Sequence, residues 1–243
     1  MEWQMLSTHD HARLRYTAAL LPIGTVEAHG PGPVGTDNLI PAALAERLSL
    51  RLDMPALPLM PYGLVQSLLA YPGSCSLTAA TLEACLFEIG ASLRQHGLRH
   101  LFVLNGHGGN TATLGSAAQR LQRETGLNVA VIDWWWEVQK LAVEIFGEGG
   151  MGHSAIDEMA MLTGLRPDAG GALPREPVPA FYKYKGLQVF PSPRPVITYD
   201  HADEAVDFAR LDPEKCASFA EQTTDALELM IREILEGWED VGR

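Results

Sequence analysis

Cysteine is scarce in this chain. The three residues Cys75, Cys85 and Cys216 stand far apart, and none belongs to a CxxC pair. So sparse and odd a set excludes a disulfide framework and a thiolate zinc site, and it fits a reducing, cytoplasmic setting. Basic residues are also few: 18 Lys and Arg against 30 Asp and Glu leave a net charge of −12. That field repels a phosphate backbone, so nucleic acid is not an expected partner. No apolar run approaches the roughly 18–20 residues of a membrane span. Met1-Glu2-Trp3-Gln4-Met5 shows no basic stretch leading into an apolar one, so neither a membrane nor a secretory signal is expected. Internal repeats and Ser/Gly linkers are absent too.

What remains is ordinary globular material, 47% hydrophobic and 20% charged over 243 residues. A chain of this length can bury roughly 70–75% of its unfolded surface and needs no staple merely to fold. We read residues 1–243 as a single domain.

Short apolar runs alternate with amphipathic stretches. Residues 18–23 (AALLPI), 57–60, 100–104 (HLFVL) and 128–132 (NVAVI) read as buried strands. Helical spacing covers 38–52, with Asp37 or Asn38 as its cap, then 78–95 and 111–125. Strand–helix alternation of this kind implies an α/β fold with a largely parallel sheet. Further on, Trp134-Trp135-Trp136 opens a helix to about Phe146, and residues 147–152 form a flexible stretch. Residues 153–163 form a short helix. The six prolines between Pro174 and Pro195 mark a long irregular excursion, and Asp212-Pro213 caps the last helix.

Three polar clusters interrupt this pattern. In open α/β sheets ligands collect beyond the carboxyl ends of strands. The first cluster, GTVEAHGPGPVGTD at 24–37, follows a strand. Glu27 and His29 are two apart, so an extended backbone points both the same way. Asp37 is ten residues from Glu27 and can be returned to it by a tight Gly/Pro loop. Together they are ligands suited to zinc or manganese; a surface loop with chance polar residues is the plain alternative. The second cluster, NGHGGN at 105–110, places His107 just past a buried strand. No GxGxxG or GxxxxGK pattern follows it, so a nucleotide fingerprint fails and His107 reads as a ligand or an acid/base group. The third cluster is GHSAIDE at 152–158. His153 and Glu158 would diverge by about 140° within one helix. With Ser154 as the N-cap and Asp157 as the third helical residue, they instead occupy the staple positions and converge at the helix start. A capped helix with a solvated His and Glu is the alternative there.

Taken together, the clusters resemble the creatininase family of metal-dependent amidohydrolases. The family pattern PxGxxExHGP…GTD stands here as Pro22-Ile23-Gly24-Thr25-Val26-Glu27-Ala28-His29-Gly30-Pro31…Gly35-Thr36-Asp37. NGHGGN is the second hallmark, and residues 152–158 resemble a third, GHAGxxET, with His153 and Glu158 in register. Tyr71-Pro72-Gly73-Ser74 resembles the family's PGT turn, and the likeness runs from about residue 18 to 168. The resemblance implies a three-layer α/β/α domain and a site for two divalent ions, Zn²⁺ and/or Mn²⁺ or else Fe²⁺. One ion would be held by Glu27, Asp37 and His107, the other by His29 and the bridging Asp37. The family's Glu two residues after the loop His is replaced by Gly109, and Glu158 is the candidate for the vacated place. A metal-activated water would attack an amide, cyclic amide or formamide, with His153 or Glu158 shuttling the proton. A substrate-covering Trp is missing from 147–152; Trp134–Trp136 either take that place or pack in the core or between subunits. Creatinine itself is a poor expectation. Relatives include creatinine hydrolases, a deformylase and a peptide-trimming protease, and they commonly form hexamers, so a homo-oligomer is implied. Three other readings compete: a family member that binds a small ligand without catalysis, a peptide-trimming metallopeptidase, and a nucleotide-binding enzyme using the 105–110 loop.

Overall fold

Three apolar runs, each ending at a polar or glycine-rich break, become the central sheet: β1 Ala18–Ile23, β2 His100–Asn105 and β3 Asn128–Asp133. They pair in parallel in the order β1-β2-β3, with Ile23 opposite Asn105 and Asn105 opposite Asp133. The three carboxyl ends therefore share one rim. Every residue of β2 is buried, as a central strand covered on both faces requires. This computed structural model describes residues 1–148, 152–169, 173–174, 176–179, 181–182, 190–191, 198–199 and 205–242. The expected excursion at 174–195, for the most part, and residues 149–151 of the expected flexible stretch lie outside the described residues.

Before β1, a short helix α1 (Thr8–Leu14) is capped by Ser7, an element the periodicity does not announce. The other helices are α2 Thr36–Leu52, α3 Ala79–Gln95, α4 Thr111–Thr125, α5 Trp134–Phe146, α6 Ile156–Leu165 and α7 Pro213–Asp240. Strand side chains alternate between faces. Leu21, Ile23, Leu101 and Val103 pack with α3 and α4, whereas Leu20, Phe102, Leu104 and Ile132 pack with α2, α5, α6 and α7. The result is three layers, α/β/α, around a parallel sheet.

Two caps follow the sequence. Thr78 Oγ1 accepts from the Thr81 N–H at 3.1 Å. The Asp212 carboxylate accepts from the Glu214 and Lys215 N–H groups, with Pro213 at the first helical position. Two expectations need correction. Residues 57–60 lie beside β1, with Leu57 N–H donating to Leu20 O at 2.8 Å and Met60 N–H to Pro22 O at 3.0 Å, but only isolated bridges form. Pro55, Pro58 and Pro61 have no N–H to extend a ladder. The helix expected at 153–163 runs instead over Ile156–Leu165, with Ala155 at its N-cap.

Candidate metal centre

The loop from β1 to α2 folds back on itself. Glu27 N–H donates to Val34 O at 2.9 Å and Gly32 N–H to His29 O at 2.7 Å, which returns the chain to its start. Asp37 is not the cap of α2. Gly35 holds that place, and Asp37 lies inside the first turn, where the helix N–H groups favour a carboxylate. The 105–110 loop comes up against this turn. A Cβ on Gly106 would stand 2.0 Å from the Asp37 carbonyl oxygen, so only glycine permits the approach.

Asp37 is the hub. Its Oδ1 lies 2.9 Å from His29 Nε2 and its Oδ2 lies 2.8 Å from His107 Nδ1. Around it, Glu27, Asp37 and His107 form one set and His29, His153 and Glu158 another, with the ligand atoms of each set within 4.8 Å of one another. Glu27 reaches both sides: Oε2 is 3.6 Å from His107 Nε2, and Oε1 is 3.3 Å from His153 Nδ1. Glu158 Oε2 lies 3.4 Å from His29 Nε2. All six sequence-derived site residues thus meet in one place. The second set differs from the expected one by including His153 and by leaving out Asp37, which approaches it only through His29.

Each imidazole is anchored from behind. His29 Nδ1 donates to Glu27 O at 2.9 Å, His107 Nε2 to Leu64 O at 3.1 Å and His153 Nε2 to Ala28 O at 2.8 Å. A carbonyl can only accept, so it fixes which ring nitrogen bears hydrogen when the ring is neutral. The other nitrogen, facing the carboxylates, then keeps its lone pair. Asp37 Oδ2 is buried and accepts no hydrogen bond of good geometry, although His107 Nδ1 is close. Imidazoles and carboxylates held this way, with an inward lone pair left unclaimed, fit a borderline divalent cation.

Burial and charge pull these groups in opposite directions. For His107, burial depresses the pKa, but the close Asp37 carboxylate and the charges of Glu27 and Asp37 outweigh it and lift it to about 9. His29 is likewise raised, burial being overcome by Asp37 and Glu158. Asp37 is held below the usual carboxylate range by the two imidazoles despite its own burial. Side-chain exposure rises from 0% at His29 to 16% at His153 and 17% at Glu158. The mouth of the site therefore lies on the α6 side.

There the local geometry departs from a capping box. Ser154 is in the left-handed region at φ 58°. Its hydroxyl donates to His29 O at 2.6 Å rather than capping α6, and its N–H donates to Glu158 Oε2 at 2.7 Å. His153 and Glu158 do converge, but because the chain reverses at Ser154. Asp157 accepts from Gly152 N–H at 3.1 Å. Burial, then the charge of Glu158, pushes its carboxyl up to about 8.

The three tryptophans divide between the alternatives. Trp134 is buried in the core, Trp135 edges toward Gly108 at the rim of the site, and Trp136 is 61% exposed. At Gly109 a Cβ would meet Leu64 O at 2.4 Å and His107 Nε2 at 2.5 Å. Gly109→Glu is therefore expected to lower stability by about 1–3 kcal/mol and to weaken metal uptake rather than restore a ligand. Urea denaturation and metal titration of the variant check this.

Sequence reasoning missed the supporting cast. Ser74 Oγ accepts from Ala28 N–H at 3.0 Å, and Asn110 ties Leu64 N–H to Gly24 O through its side-chain amide. Asp133, bonded to Asn105 and Thr111, was also missed. Its position at the carboxyl end of β3 was the available signal.

A family model described as "Creatininase: Creatinine amidohydrolase" matches residues 1–230. Creatinine amidohydrolase of Pseudomonas putida is 30% identical over 167 residues, 61% of this chain and 64% of that protein. Mycofactocin precursor peptide peptidase of Mycolicibacterium smegmatis is 38% identical over 112 residues, 43% of this chain and 45% of that one. The matched stretches are thus under two thirds of either relative's length. A creatininase crystal structure superposes with a TM-score of 0.80 at 23% identity, covering 95% of this chain and 96% of the other. Creatininases described as a Zn-Zn mutant form and as "Creatininase Mn" share the fold at TM-scores of 0.78 and 0.77 and 22% identity.

Proposed function

The chain belongs to the creatininase family, and on that premise we propose that it is a metal-dependent hydrolase of carbon–nitrogen bonds other than the ordinary peptide bond. Its substrate would be a small amide, cyclic amide or formamide. The observation that carries this reading is Asp37 standing between two imidazoles whose far nitrogens are tied to carbonyls. Glu27, Asp37 and His107 would hold one divalent ion; His29, Glu158 and the shared Asp37 would hold the second. Zinc and manganese suit these ligands, and iron(II) is the further option. Ions there supply Lewis acidity, polarising a carbonyl and bringing the pKa of water toward 7.

The protein's own residues supply the rest. The carboxylates of Glu27, Asp37 and Glu158 offset the charge of two dications. Glu158 is steadied by the Ser154 N–H, which fits a ligand better than a mobile acid. His153, more exposed than His29 and facing Glu27, is assigned the proton shuttle to the leaving nitrogen. The reading of residues 1–243 as one domain is supported by α7 packing on α2, α5 and α6. A homo-oligomer is supported by exposed Trp136 and Leu229. No helix among the described residues is long and apolar enough to cross a membrane.

The test is metal analysis of the purified protein, followed by a panel of amides, cyclic amides and formyl compounds assayed with metal and with chelator. Turnover that chelator abolishes and zinc or manganese restores is expected. A folded protein that takes up no ion rejects the reading, and uptake of ions with no turnover leaves a small-ligand binder. His153→Gln is expected to retain both ions while losing roughly 10²–10⁴ in kcat; loss of an ion instead makes it a ligand. The similarity to a peptide peptidase supports a second reading, trimming of a peptide terminus. A mass-resolved peptide panel distinguishes it.

A further inference from the structure

Asp133 is a half-buried carboxylate that the proposed reaction does not use. It ends β3 and faces Asn105, which ends β2 in the next strand. Its Oδ1 accepts from Asn105 Nδ2 at 2.6 Å and its Oδ2 from Thr111 Oγ1 at 2.9 Å. The rest of the Asn105 amide is spent on the 105–110 loop and on Thr111, whose Oγ1 accepts from Nδ2 at 3.3 Å. Nδ2 also donates to His107 O at 2.9 Å, and Oδ1 accepts from His107 N–H at 3.1 Å and from Asn110 Nδ2 at 3.3 Å.

An amide has two faces of opposite character, and nothing in its shape decides which way it sits. A carboxylate does decide. Being an acceptor only, it requires the NH₂ of Asn105 to point at β3, and the carbonyl oxygen then points at the His107 N–H. With the amide reversed, NH₂ would oppose that N–H, and His107 O would face an acceptor. The backbone on both sides of the His107 Cα therefore takes its place from Asn105, and Asp133 anchors Asn105 in the orientation that this backbone also selects. The imidazole that leaves this backbone is the one 2.8 Å from Asp37 Oδ2.

We propose that Asp133 is a positioning residue: through Asn105 it fixes His107, and so sets the affinity of the Glu27, Asp37 and His107 set for its ion. The inference rests on the metal reading above for its consequence, though not for its geometry. It is specific to one of the two ligand sets, since His29, His153 and Glu158 are held by the carbonyls of Glu27 and Ala28 and by the Ser154 N–H.

The experiment titrates Zn²⁺ into metal-free wild type, Asp133→Ala and Asp133→Asn, and follows hydrogen exchange at the His107 amide without metal. The expected result for Asp133→Ala is a roughly 10–100-fold weaker affinity at one ion with the other unchanged, and exchange at His107 about tenfold faster. Asp133→Asn keeps an acceptor for Asn105 and can donate to the Thr111 hydroxyl, so it is expected to stay within a few-fold of wild type. Adding Asn105→Ala to Asp133→Ala is expected to cost little more than either change alone. Asp133→Ser, whose hydroxyl ends one bond short of the amide, carries the same comparison if Asp133→Ala does not fold. Wild-type affinity at both ions with unchanged exchange overturns the proposal, as does equal weakening of both ions, which marks a merely structural residue. A wild type that takes up no zinc, combined with faster His107 exchange in the variant, rejects the metal reading and leaves the positioning intact.

Discussion

Asp37→Ala is expected to remove both ions and to reduce hydrolytic turnover by on the order of 10³-fold or more, since two dications contribute several kcal/mol of transition-state stabilisation. Among the described residues Asp37 reaches both ligand sets most closely: one oxygen is 2.9 Å from His29 and the other 2.8 Å from His107. Losing His107 alone would leave the second set with its carboxylates, whereas losing Asp37 takes the shared ligand from both. Asp37→Asn keeps the size and tests charge alone. Metal content by elemental analysis and turnover at saturating metal decide the matter. Either variant keeping both ions, or turnover within about tenfold of wild type, would remove Asp37 from its central place.

Metal-free protein is expected to lose stability as pH rises from about 6.5 toward 9, and the trend is expected to reverse when zinc or manganese is added. His107 has a folded pKa of about 9, above its ordinary 6.5: burial works against protonation, and the Asp37 and Glu27 carboxylates more than compensate. A raised pKa contributes stability that is complete below the unfolded value and vanishes as pH passes the folded one. At roughly 1.4 kcal/mol per unit, the change is a few kcal/mol. Asp37 acts in the opposite sense. Its lowered pKa contributes above its ordinary value of 3.8 and is lost as pH falls below it. Asp157, pushed up to about 8 by burial and the charge of Glu158, also gives up stability as pH rises above its ordinary 3.8, so metal-free protein is expected to be most stable at about pH 4 and to weaken from there upward. A bound ion requires neutral imidazoles, so metal affinity and holo-protein stability rise over the same interval in which the metal-free form weakens. Denaturation series at pH 6, 7.5 and 9, with chelator and with metal, read the two slopes; identical signs would sink the claim. In Asp37→Ala the metal-free slope is expected to become shallower, because only Glu27 and Glu158 then favour the protonated imidazoles against burial.

Much of the fold was legible because its signals are local. Residues 18–23, 101–104 and 129–132 are continuous apolar runs, and a short run flanked by glycine or polar residues has few destinations other than a covered parallel strand. Thr78 and Asp212 cap their helices for reasons contained within four residues. Residues 57–60 failed as a regular strand because proline removes donors that apolarity does not reveal. Ser154 failed as a cap because its hydroxyl found a distant acceptor, His29 O, and its backbone turned left-handed to reach it.

The candidate ligands were named from three short motifs, since residue chemistry and motif spacing are properties of the chain itself. Sequence alone therefore determined which side chains carry imidazole or carboxylate, and that each follows a strand or a glycine-rich break. Only the folded sheet decided their partners. Glu27 and His107 are 80 residues apart, and their meeting depends on β1 and β2 lying side by side in one register. His153 joining the second set, Gly109 pressed against His107, and Asp133 anchoring Asn105 likewise arise from long-range packing, where ångström distances follow from whole elements docking and not from neighbours along the polymer.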